Sequence, residues 1–568
     1  MCGIFALVNN NNNDDVINAE FKKGEKRGPE FSIIKQFDNV LFGFHRLAIN
    51  GLNNTSNQPI ISDDIILICN GEIYNYKNLI EDHSIVMQTQ SDCEVIIHMY
   101  KLYGIKYTLN ILDGEFAFII YDKKTNSIIA ARDSYGVRPL YYFYENNSFG
   151  FASELKVLYN LVSNKSNIKN FKPGNYLEFE NKVTYSYETT LSSLNFISYR
   201  NFPCSNIEYK LNDELYNLIF KKITEAVRKR VVGTTQRPVG CLLSGGLDSS
   251  LVAALVNKEL VNDASRRPEE KVLNTFSIVL AGSEDLKYAK LVALHLNSKH
   301  HEIVVSEDNF FDAIPEVIKA IESYDTTSVR ASVGNYLVAK YIKEHSDCKV
   351  ILNGDGADEL MGGYLYMKKA GNEYEFDKEC RRLLEDIYMF DVLRSDKSIS
   401  SNGLEPRTPF LDCEWVEFYL GITKKLRYNT TIQHCEKYLL RKSVEMIDPN
   451  LLPSEILWRT KEAFSDGVSS MEKSWFTIIQ EKINALNSIN PVINNALVDT
   501  RIFYEKNKTS TLNPPLTLEQ IYYRYLYNKD YKNCDHLIEY FWMPKYVNAN
   551  DASARTLNFY NEKNTNKV

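Results

Sequence analysis

Cys2 stands directly behind the initiator methionine, and this position determines what its thiol can do. If an aminopeptidase removes Met1, one residue carries both a thiol and a free α-amine. A thiol with an ordinary pKa of about 8.5 is mostly protonated at neutral pH, and an amine with a pKa of about 8 can accept its proton directly or through a water molecule. The position predicts an N-terminal nucleophile that carries its own base. The alternative is a small residue at position 2 without a catalytic role.

A second group of reactive residue types is the run Ser244-Gly245-Gly246-Leu247-Asp248-Ser249-Ser250. It follows a buried-strand pattern and leads into a helical one. Glycines let the backbone approach a ligand closely, while N–H groups at a helix start and serine hydroxyls donate hydrogen bonds to an anion. Asp248 supplies a carboxylate for magnesium. The run lacks the Walker and dinucleotide signatures, and it predicts a site for the pyrophosphate of ATP. A turn without a ligand is the alternative.

Length and composition limit the classes of protein to which the chain can belong. A chain of 568 residues predicts two or more domains. Its net charge of −7 argues against a nucleic-acid partner. The sequence has no apolar run of membrane-spanning length, and its first residues lack the basic segment and apolar core of a secretory leader, so neither a membrane span nor a leader is expected. Ten cysteines without zinc spacing predict reduced thiols in a cytoplasmic protein.

The elements that must position Cys2 form a predicted domain over residues 2–188. Short strand-like runs between turn signals predict strands, and the run 93–103 predicts a helix. The asparagine-rich run 9–13 is interpreted as a solvated loop. The pattern indicates an α+β domain with antiparallel sheets. The predicted strands are 3–8, 65–69, 116–121, 128–131, 140–144 and 149–152.

The loop at 244–250 belongs to a second predicted domain over residues 213–545, after a polar linker at 189–212. Strand and helix alternate here, which predicts a parallel, doubly wound sheet with ligands beyond the carboxyl ends of its strands. Residues 546–568 form a polar tail. The predicted strands are 239–243, 272–280, 302–305 and 350–352, and the predicted helices are 249–260, 286–296, 310–321 and 333–344.

The loop resembles that of the PP-loop ATP pyrophosphatases, and the chain as a whole resembles the glutamine-hydrolysing asparagine synthetases. The resemblance implies an N-terminal Ntn-hydrolase-type sandwich of antiparallel sheets and a C-terminal doubly wound α/β domain. In the first half it is carried by the opening run at 2–5 and by motifs at 27–29, 45–47, 70–75, 91–94, 131–140 and 151–154. In the second half the motifs lie at 277–278, 322–325, 329–332, 353–359, 405–412, 436–441, 459–467 and 551–555.

For the glutaminase half, the resemblance implies that Cys2 attacks the amide carbon of glutamine. Asn70 and the backbone N–H of Gly71 would hold the developing oxyanion. Glutamine also presents a carboxylate, which suits Arg46, and an ammonium, which suits two acids. Surface salt bridges and turns are the alternatives. The implied glutamine-binding residues are Arg46, Leu47, Ala48, Ile49, Asn50, Asn70, Gly71, Glu72 and Asp92.

For the synthetase half, the resemblance implies magnesium carboxylates at Asp248 and Asp358 and catalytic roles for Asp355 and Lys461. Leu243, Ile278 and Gly354 would line the adenine and ribose. Arg394 and Arg407 would either bind aspartate or form ion pairs within the domain, and the sequence favours the ion pairs. The implied ATP-binding residues are Leu243, Ser244, Gly245, Gly246, Asp248, Ser249, Ser250, Ile278, Asn353 and Gly354.

Two positions depart from the family pattern. Asp355 stands where the family has glutamate, which shortens the reach of the acid by about 1.5 Å. Glu30 stands where the family commonly has aspartate, and the segment between Val8 and Arg27 is compact and rich in asparagine. Reduced activity with an unchanged fold is expected.

The implied reaction is ATP-dependent synthesis of L-asparagine from L-aspartate with ammonia from L-glutamine, through a glutamyl thioester and β-aspartyl-AMP. An apolar passage between the domains would keep ammonia neutral. A related amidotransferase that aminates another carboxylate is one alternative, although a β-lactam-forming relative would need no glutaminase. A non-catalytic homologue is the other. The expected partners are glutamine, aspartate and ATP, without nucleic acid or membrane, and a homodimer is left open.

Overall fold

The computed structural model describes residues 1–181, 194–200, 207–233, 235–264, 266–460, 468–469, 473–507, 512–549 and 551–553. The chain divides into two compact units. The first comprises Met1–Phe202, Lys229–Pro238 and Ile399–Pro406, and the second comprises Pro203–Arg228, Val239–Ser398 and Arg407–Val568. Residues 189–193 and 201–206 of the predicted linker, and most of the predicted tail, lie outside the described residues.

Two antiparallel sheets form the framework of the first unit. Their strands, numbered β1 to β12 in chain order, are Gly3–Val8, Phe31–Phe37, Val40–Arg46, Ile60–Ser62, Ile65–Ile73, Gly114–Asp122, Ser127–Arg132, Tyr141–Glu145, Ser148–Ala152, Ile168–Asn170, Asn175–Glu180 and Phe196–Ser198. One sheet has the order β10-β8-β9-β1-β3-β2, and the other has the order β12-β11-β7-β6-β5-β4.

Alternating side chains explain why the two sheets form a sandwich. Successive residues of a strand point to opposite faces of its sheet. On β6, Ala117 and Ile119 join the core that both sheets share, whereas Phe118 and Ile120 face a second core on the far side. The helix Val95–Ile111 closes that second core. The predicted antiparallel sandwich is confirmed.

The first unit has more helices than the one that the sequence predicts. Asn13 begins the helix Asp14–Lys22, because its side chain accepts a hydrogen bond from the N–H of Asp15. The loop predicted for the asparagine run therefore ends in a helix cap. The α-helices α1 to α4 are Asp14–Lys22, Tyr76–Asp82, Val95–Ile111 and Leu155–Leu158, and the 3-10 helices are Glu25–Arg27, Asn54–Ser56, Asp92–Glu94, Tyr159–Leu161 and Lys165–Asn167.

The second unit is built on a sheet in which four strands have the order β15-β14-β13-β16. Strands β13 to β16 are Val239–Leu242, Asn274–Leu280, Lys299–Val305 and Val350–Leu352, and the short strand β17, Glu405–Arg407, has only Arg407 in this unit. Strands β13 to β16 run parallel to their neighbours in the sheet. The predicted parallel, doubly wound arrangement is confirmed.

Helices connect these strands and extend beyond them. The predicted helix 310–321 is two helices, because Pro315, in the first turn of the second, lacks the N–H that would continue the first. The α-helices α5 to α20 are Asp213–Val231, Leu247–Asn262, Glu284–Leu296, Glu307–Asp312, Ile314–Ile321, Thr326–His345, Ala357–Met361, Glu373–Asp386, Asp391–Ser400, Cys413–Gly421, Lys424–Gln433, Tyr438–Ile447, Ser454–Leu457, Trp475–Ile489, Pro491–Lys506 and Leu518–Tyr531. The 3-10 helices are Pro268–Lys271, Leu365–Lys369, Ile387–Met389, Pro409–Leu411 and Asp535–Leu537. None of the described helices has the length and apolarity needed to cross a membrane.

Candidate functional site

The thiol of Cys2 lies immediately before β1 and is half-buried. It donates to the carbonyl oxygen of Leu47 over 3.7 Å, and Arg27 Nε donates to the carbonyl oxygen of Cys2 over 3.0 Å. Burial raises the pKa of the thiol to about 11. The thiol is therefore protonated at neutral pH and needs a base before it can attack a carbonyl carbon.

The N-terminal ammonium of Met1, the residue before Cys2, is also buried. Met1 is 1% exposed, and its ammonium lies 3.9 Å from a carboxylate oxygen of Glu405. Burial lowers the pKa of this ammonium to about 6, although Glu405 opposes the change. The α-amine of Met1 is therefore mostly neutral at pH 7 and can accept a proton.

Arg46, the last residue of β3, is buried with its charge directed at neutral oxygens. Its guanidinium donates to the carbonyl oxygens of Asn53, Asn50 and Gly51 and, over 2.6 Å, to the side-chain oxygen of Asn57. It forms no ion pair with a residue that the structure describes. A buried guanidinium without an acidic partner is a site for a carboxylate ligand.

The loop 47–50 after β3 is fixed by an ion pair that local sequence patterns do not predict. Glu30 accepts from the N–H of Ala48 over 2.8 Å, and Arg237 Nε donates to the carbonyl oxygen of Ala48 over 2.9 Å. The two side chains lie 3.0 Å apart. Glu30, which departs from the family pattern, therefore positions the loop whose Leu47 accepts from the Cys2 thiol.

Asn70 and Gly71 lie next to each other on β5. Asn70 is fully buried, and neither its side-chain oxygen nor its side-chain nitrogen has a hydrogen-bond partner among the described residues. A Cβ at position 71 would collide with the backbone of β6 at Glu115 and Phe116, so this position requires glycine. A buried amide without an internal partner is expected to bind a ligand.

The two predicted acids, Glu72 on β5 and Asp92, are both buried. The side chain of Asn50 donates to Glu72 over 2.8 Å, and the N–H of Ile73 donates to Asp92 over 2.7 Å. The structure thus joins Asn50 to Glu72 and joins Asp92 to the β5 strand that carries Asn70.

The second set of predicted residues lines a pocket of the second unit, at the carboxyl ends of β13, β14 and β16. Gly245 and Ser250 belong to the same loop without lining the pocket, and Lys461 lies outside the described residues. Arg394 lines the pocket, whereas the buried Arg407 does not. The predicted residues in the lining are Leu243, Ser244, Gly246, Asp248, Ser249, Ile278, Asn353, Gly354, Asp355 and Asp358.

The loop at 244–250 is fixed by glycine and serine. Gly245 has a φ of +77°, and a Cβ there would lie 2.5 Å from the backbone nitrogen of Ala289. The hydroxyls of Ser244 and Ser249 are 3.0 Å apart. The helix Leu247–Asn262 begins without a side-chain cap among the described residues. Its first N–H groups can therefore donate to an anion in the pocket.

The residues predicted around adenine and ribose lie on neighbouring strand ends. The N–H of Leu243 donates to the carbonyl oxygen of Phe276 over 2.8 Å. The side chain of Asn353 donates to Ser395 over 2.6 Å and accepts from the N–H of Asp355 over 3.2 Å. Because parallel strands end at one edge of the sheet, these chain segments meet there.

Asp248 and Asp358 can both reach a single cation. Each carboxylate lies 2.5 Å from the ammonium of Lys437. Among the described residues no cluster of three or more His, Cys, Asp or Glu is arranged for a metal. Magnesium is commonly held by one or two carboxylates together with substrate phosphates. The pair therefore fits a magnesium ion that arrives with a nucleotide.

Asp355 belongs to a charged cluster that its motif predicts only in part. Arg394 lies 3.4 Å from Asp355 and 2.5 Å from Asp391. Burial alone would lower the pKa of Arg394, but the two acids raise it. Burial raises the pKa of the Glu359 carboxyl well above its usual range, and the charge of Asp391 raises this pKa further. Tyr364 donates a hydrogen bond to the same carboxyl.

Arg459 also contacts the loop at 244–250. It donates to the carbonyl oxygen of Gly245 over 3.0 Å and to Asp285 over 2.6 Å, and its guanidinium lies 3.9 Å from the ring centre of Tyr288. Lys437 and Arg459 belong to the motifs at 436–441 and 459–467, and these motifs are the signal by which the two residues can be found in the sequence.

Both halves of the chain match known families. Residues 1–197 match the glutamine amidotransferase domain, and residues 219–377 and 368–513 match asparagine synthase. The chain is 40% identical over 577 residues to the glutamine-hydrolysing asparagine synthetase of Gallus gallus, covering 99% of each chain. It is 38% identical over 584 residues to that of Homo sapiens, again covering 99% of each. Among solved structures, a glutamine phosphoribosylpyrophosphate amidotransferase from B. subtilis aligns with a TM-score of 0.29 and 15% identity, over 53% of this chain and 81% of that chain.

Proposed function

This chain belongs to the glutamine-hydrolysing asparagine synthetases, and we propose that its two units divide the reaction between them. It synthesises L-asparagine from L-aspartate, ATP and the ammonia of L-glutamine, and it releases AMP, pyrophosphate and L-glutamate. The observation that carries this function is the 40% identity to a relative of that name across 99% of both chains.

In the first unit the thiol of Cys2, freed from Met1, attacks the amide carbon of glutamine. Its proton passes to the α-amine and then to the departing ammonia. The glutamyl thioester that forms is hydrolysed by water to glutamate and free thiol. The side chain of Asn70 and the N–H of Gly71 donate to the oxyanion in both steps. The buried amide of Asn70, which has no hydrogen-bond partner in the part of the chain that the structure describes, supports this role.

Recognition of glutamine as an amino acid is assigned to charged groups around Cys2. Arg46 pairs with the α-carboxylate, and Glu72 and Asp92 pair with the α-ammonium. The loop 47–50 forms a wall of the site. Support comes from Arg46, whose guanidinium has neutral oxygens as its hydrogen-bond partners.

In the second unit the β-carboxylate of aspartate attacks the α-phosphorus of ATP, which expels pyrophosphate and gives β-aspartyl-AMP. Ammonia then attacks the activated carbonyl carbon, and AMP leaves. Ser244, Gly245, Gly246, Ser249 and Ser250 are assigned to the phosphates, and Leu243, Ile278, Asn353 and Gly354 to the nucleoside. We assign Lys461 to charge on the phosphates and Asp355 to formation of the adenylate.

Asp248 and Asp358 would hold magnesium, which when bound neutralises charge on the phosphates. Both carboxylates already share one cation, and their oxygens suit this metal. Arg394 lines the same pocket, and we assign it to a carboxylate of aspartate.

The experiment that tests this function measures asparagine and AMP with purified full-length protein. With aspartate, ATP and magnesium, either glutamine or an ammonium salt should give equal amounts of asparagine and AMP. Omission of aspartate should stop AMP release. AMP release that requires a different carboxylate would indicate the related amidotransferase, and no AMP release under any condition would indicate a non-catalytic homologue.

A further inference from the structure

Lys437 binds two carboxylates of the second-unit pocket with one ammonium. Its nitrogen lies 2.5 Å from Asp248 and 2.5 Å from Asp358. The lysine side chain is 1% exposed, while the two acids are 11% and 13% exposed. Burial of an ammonium is unfavourable unless it is paired, so this position depends on both acids.

The backbone at Lys437 has a conformation that side chains rarely adopt. Its φ of +58° and ψ of +27° lie in the left-handed region, directly before the helix Tyr438–Ile447. Arg441 holds this turn, because its side chain donates to the carbonyl oxygen of Glu436 over 2.9 Å and its N–H donates to that of Lys437 over 3.1 Å. Strain of this kind persists where surrounding contacts impose it, and it is concentrated at functional sites.

The space around the ammonium is also restricted. A Cβ at Gly363 would collide with Asp358 and with the end of the Lys437 side chain. The glycine thus leaves room for the lysine and the acid to meet. Two further glycines, Gly354 and Gly356, precede Asp358 in the chain. A Cβ at Gly354 would lie 2.8 Å from the Cβ of Asp248, so glycine also leaves room for this acid.

We propose that Lys437 is a displaceable counter-ion that occupies the magnesium position of the free enzyme. In this proposal, which rests on the assignment of Asp248 and Asp358 to magnesium above, the ammonium holds both carboxylates together before substrate binds. When magnesium arrives with ATP, the carboxylates exchange the ammonium for the metal. The ammonium then pairs with the phosphates.

The exchange follows from the position of the three groups. The two carboxylate oxygens lie no more than about 5 Å apart, because each is 2.5 Å from the same nitrogen. A metal bound to both must therefore take the place of the ammonium. Asp248 belongs to the phosphate loop itself, so an ammonium released there has phosphate groups as its new partners. A lysine has the flexible side chain and compact charge that such a move requires.

One thermodynamic consequence is open to measurement. A metal that binds without a nucleotide must displace the ammonium before any phosphate is present to receive it, and other acids of the pocket are already paired: Asp355 and Asp391 with Arg394, and Asp285 with Arg459. A metal that binds with a nucleotide displaces it onto phosphates. The bound lysine thus opposes metal binding alone and favours metal and nucleotide together, which is a coupling between two ligands.

The test uses Mn²⁺ as a paramagnetic substitute for magnesium and α,β-methylene ATP as a nucleotide that cannot be cleaved at the reacting bond. Free Mn²⁺ is counted by electron paramagnetic resonance with the full-length protein. Lys437→Met should bind Mn²⁺ alone about tenfold more tightly than the wild type, and should bind the Mn²⁺ complex of the nucleotide about tenfold more weakly. Equal Mn²⁺ affinity of both proteins without nucleotide would overturn the proposal.

Control variants separate this proposal from its premise. Lys442→Met removes a half-buried lysine of the helix Tyr438–Ile447, paired with Glu445, and should leave both affinities unchanged. Asp248→Asn should weaken binding of the Mn²⁺–nucleotide complex. If it does not, the magnesium assignment fails. If it does while Lys437→Met leaves the affinity for Mn²⁺ alone unchanged, only the counter-ion proposal fails.

A conservative variant keeps the test decisive if Lys437→Met does not fold. Lys437→Arg retains the positive charge and should keep the affinity for Mn²⁺ alone as low as in the wild type. Tighter binding of Mn²⁺ alone by this variant would contradict a role that depends on charge. Circular dichroism of each variant establishes that the fold is retained.

Discussion

Buried polar side chains with unused bonding capacity mark the candidate site of the first unit at the scale of single residues. Burying a polar group without a partner costs about 1–3 kcal/mol of stability. Asn70 is fully buried with no hydrogen-bond partner among the described residues, and Arg46 is buried with only neutral partners. A protein that retains such groups does so for a ligand, since apolar residues at these positions would favour folding.

Asn70→Ala should lower kcat for glutamine hydrolysis by about 10²–10³-fold, because loss of an oxyanion donor acts on the transition state. The KM for glutamine should change much less. Glutamate release and thermal unfolding are the measurements. Removal of an amide without an internal partner should not destabilise the first unit.

Asn39→Ala is the matched control for that substitution. Asn39 donates to the side-chain oxygens of Asn9 and Asn181 over 2.6 and 2.7 Å. Its loss should lower the melting temperature and leave kcat unchanged. The oxyanion role of Asn70 is wrong if its substitution behaves in the same way as that of Asn39.

Asp355 is the residue whose length departs from the family. Asp355→Glu should raise the aspartate-dependent rate of pyrophosphate release or leave it unchanged, because it restores the reach of the acid. Asp355→Ala should depress this rate by orders of magnitude, since a group that acts in the transition state affects kcat. Glutaminase activity, measured on the same preparations, should remain. A normal rate in Asp355→Ala would transfer the role to Asp358 or Glu359.

At the scale of elements, the strands with strong apolar patterns could be predicted from the sequence. Gly3–Val8 and Val350–Leu352 were predicted to the residue, because every position of each strand is buried. The hairpin formed by Phe31–Phe37 and Val40–Arg46 was missed. Its first strand mixes half-buried and exposed positions without regular alternation, so no period marks it in the sequence.

Local motifs account for some site residues and not for others. Arg46 is recognised from a motif although its strand is not predicted, and Lys437 lies in the motif at 436–441. Arg237 and Asp391 lie in no such motif and are brought to their sites by chain segments far away in sequence. Their ion pairs depend on tertiary packing, which no local pattern encodes.

The helix Thr326–His345 offers a prediction about stability and pH. Asp325 caps it and is fully buried, where it accepts from the N–H of Ser328 over 2.8 Å and from the N–H of Trp542 over 2.9 Å. Burial raises the pKa of Asp325 to about 6, from an ordinary 3.8. The folded protein therefore holds this proton more tightly than the unfolded chain does. This contribution to the free energy of unfolding is fully present below pH 3.8 and is lost as the pH rises through about 6.

Asp325→Asn removes the titration while keeping the size of the side chain. The free energy of unfolding of the wild type should therefore exceed that of the variant by more at about pH 4.5 than at about pH 7.5. This difference between the two proteins should change by at most about 3 kcal/mol between the two pH values. Urea unfolding at both pH values measures it. Asp308→Asn, at an exposed position, should show no such change. A difference that grows with pH would mean that the sign of the pKa shift is wrong.

At the scale of the whole molecule, two compact units each contain their own set of site residues. Cys2, Arg46 and Asn70 belong to the first unit, and Asp248 and Asp355 belong to the second. Each unit has the size of an independent domain with a core of its own. In the proposed mechanism the chemistry divides in the same way, since release of ammonia requires a thiol and activation of aspartate does not.

Cys2→Ala should therefore abolish glutaminase activity and asparagine synthesis from glutamine, while synthesis from ammonium salts stays close to that of the wild type. The thiol is the only group of Cys2 that the substitution removes, and the α-amine and the backbone remain. Cys413→Ala, which changes a partly buried cysteine of the second unit, is the matched control and should retain synthesis with both donors. Asparagine and glutamate are measured side by side with each nitrogen donor. Equal loss with both donors in Cys2→Ala would mean that the thiol supports the synthetase reaction as well, and the division of the reaction between the two units would be wrong.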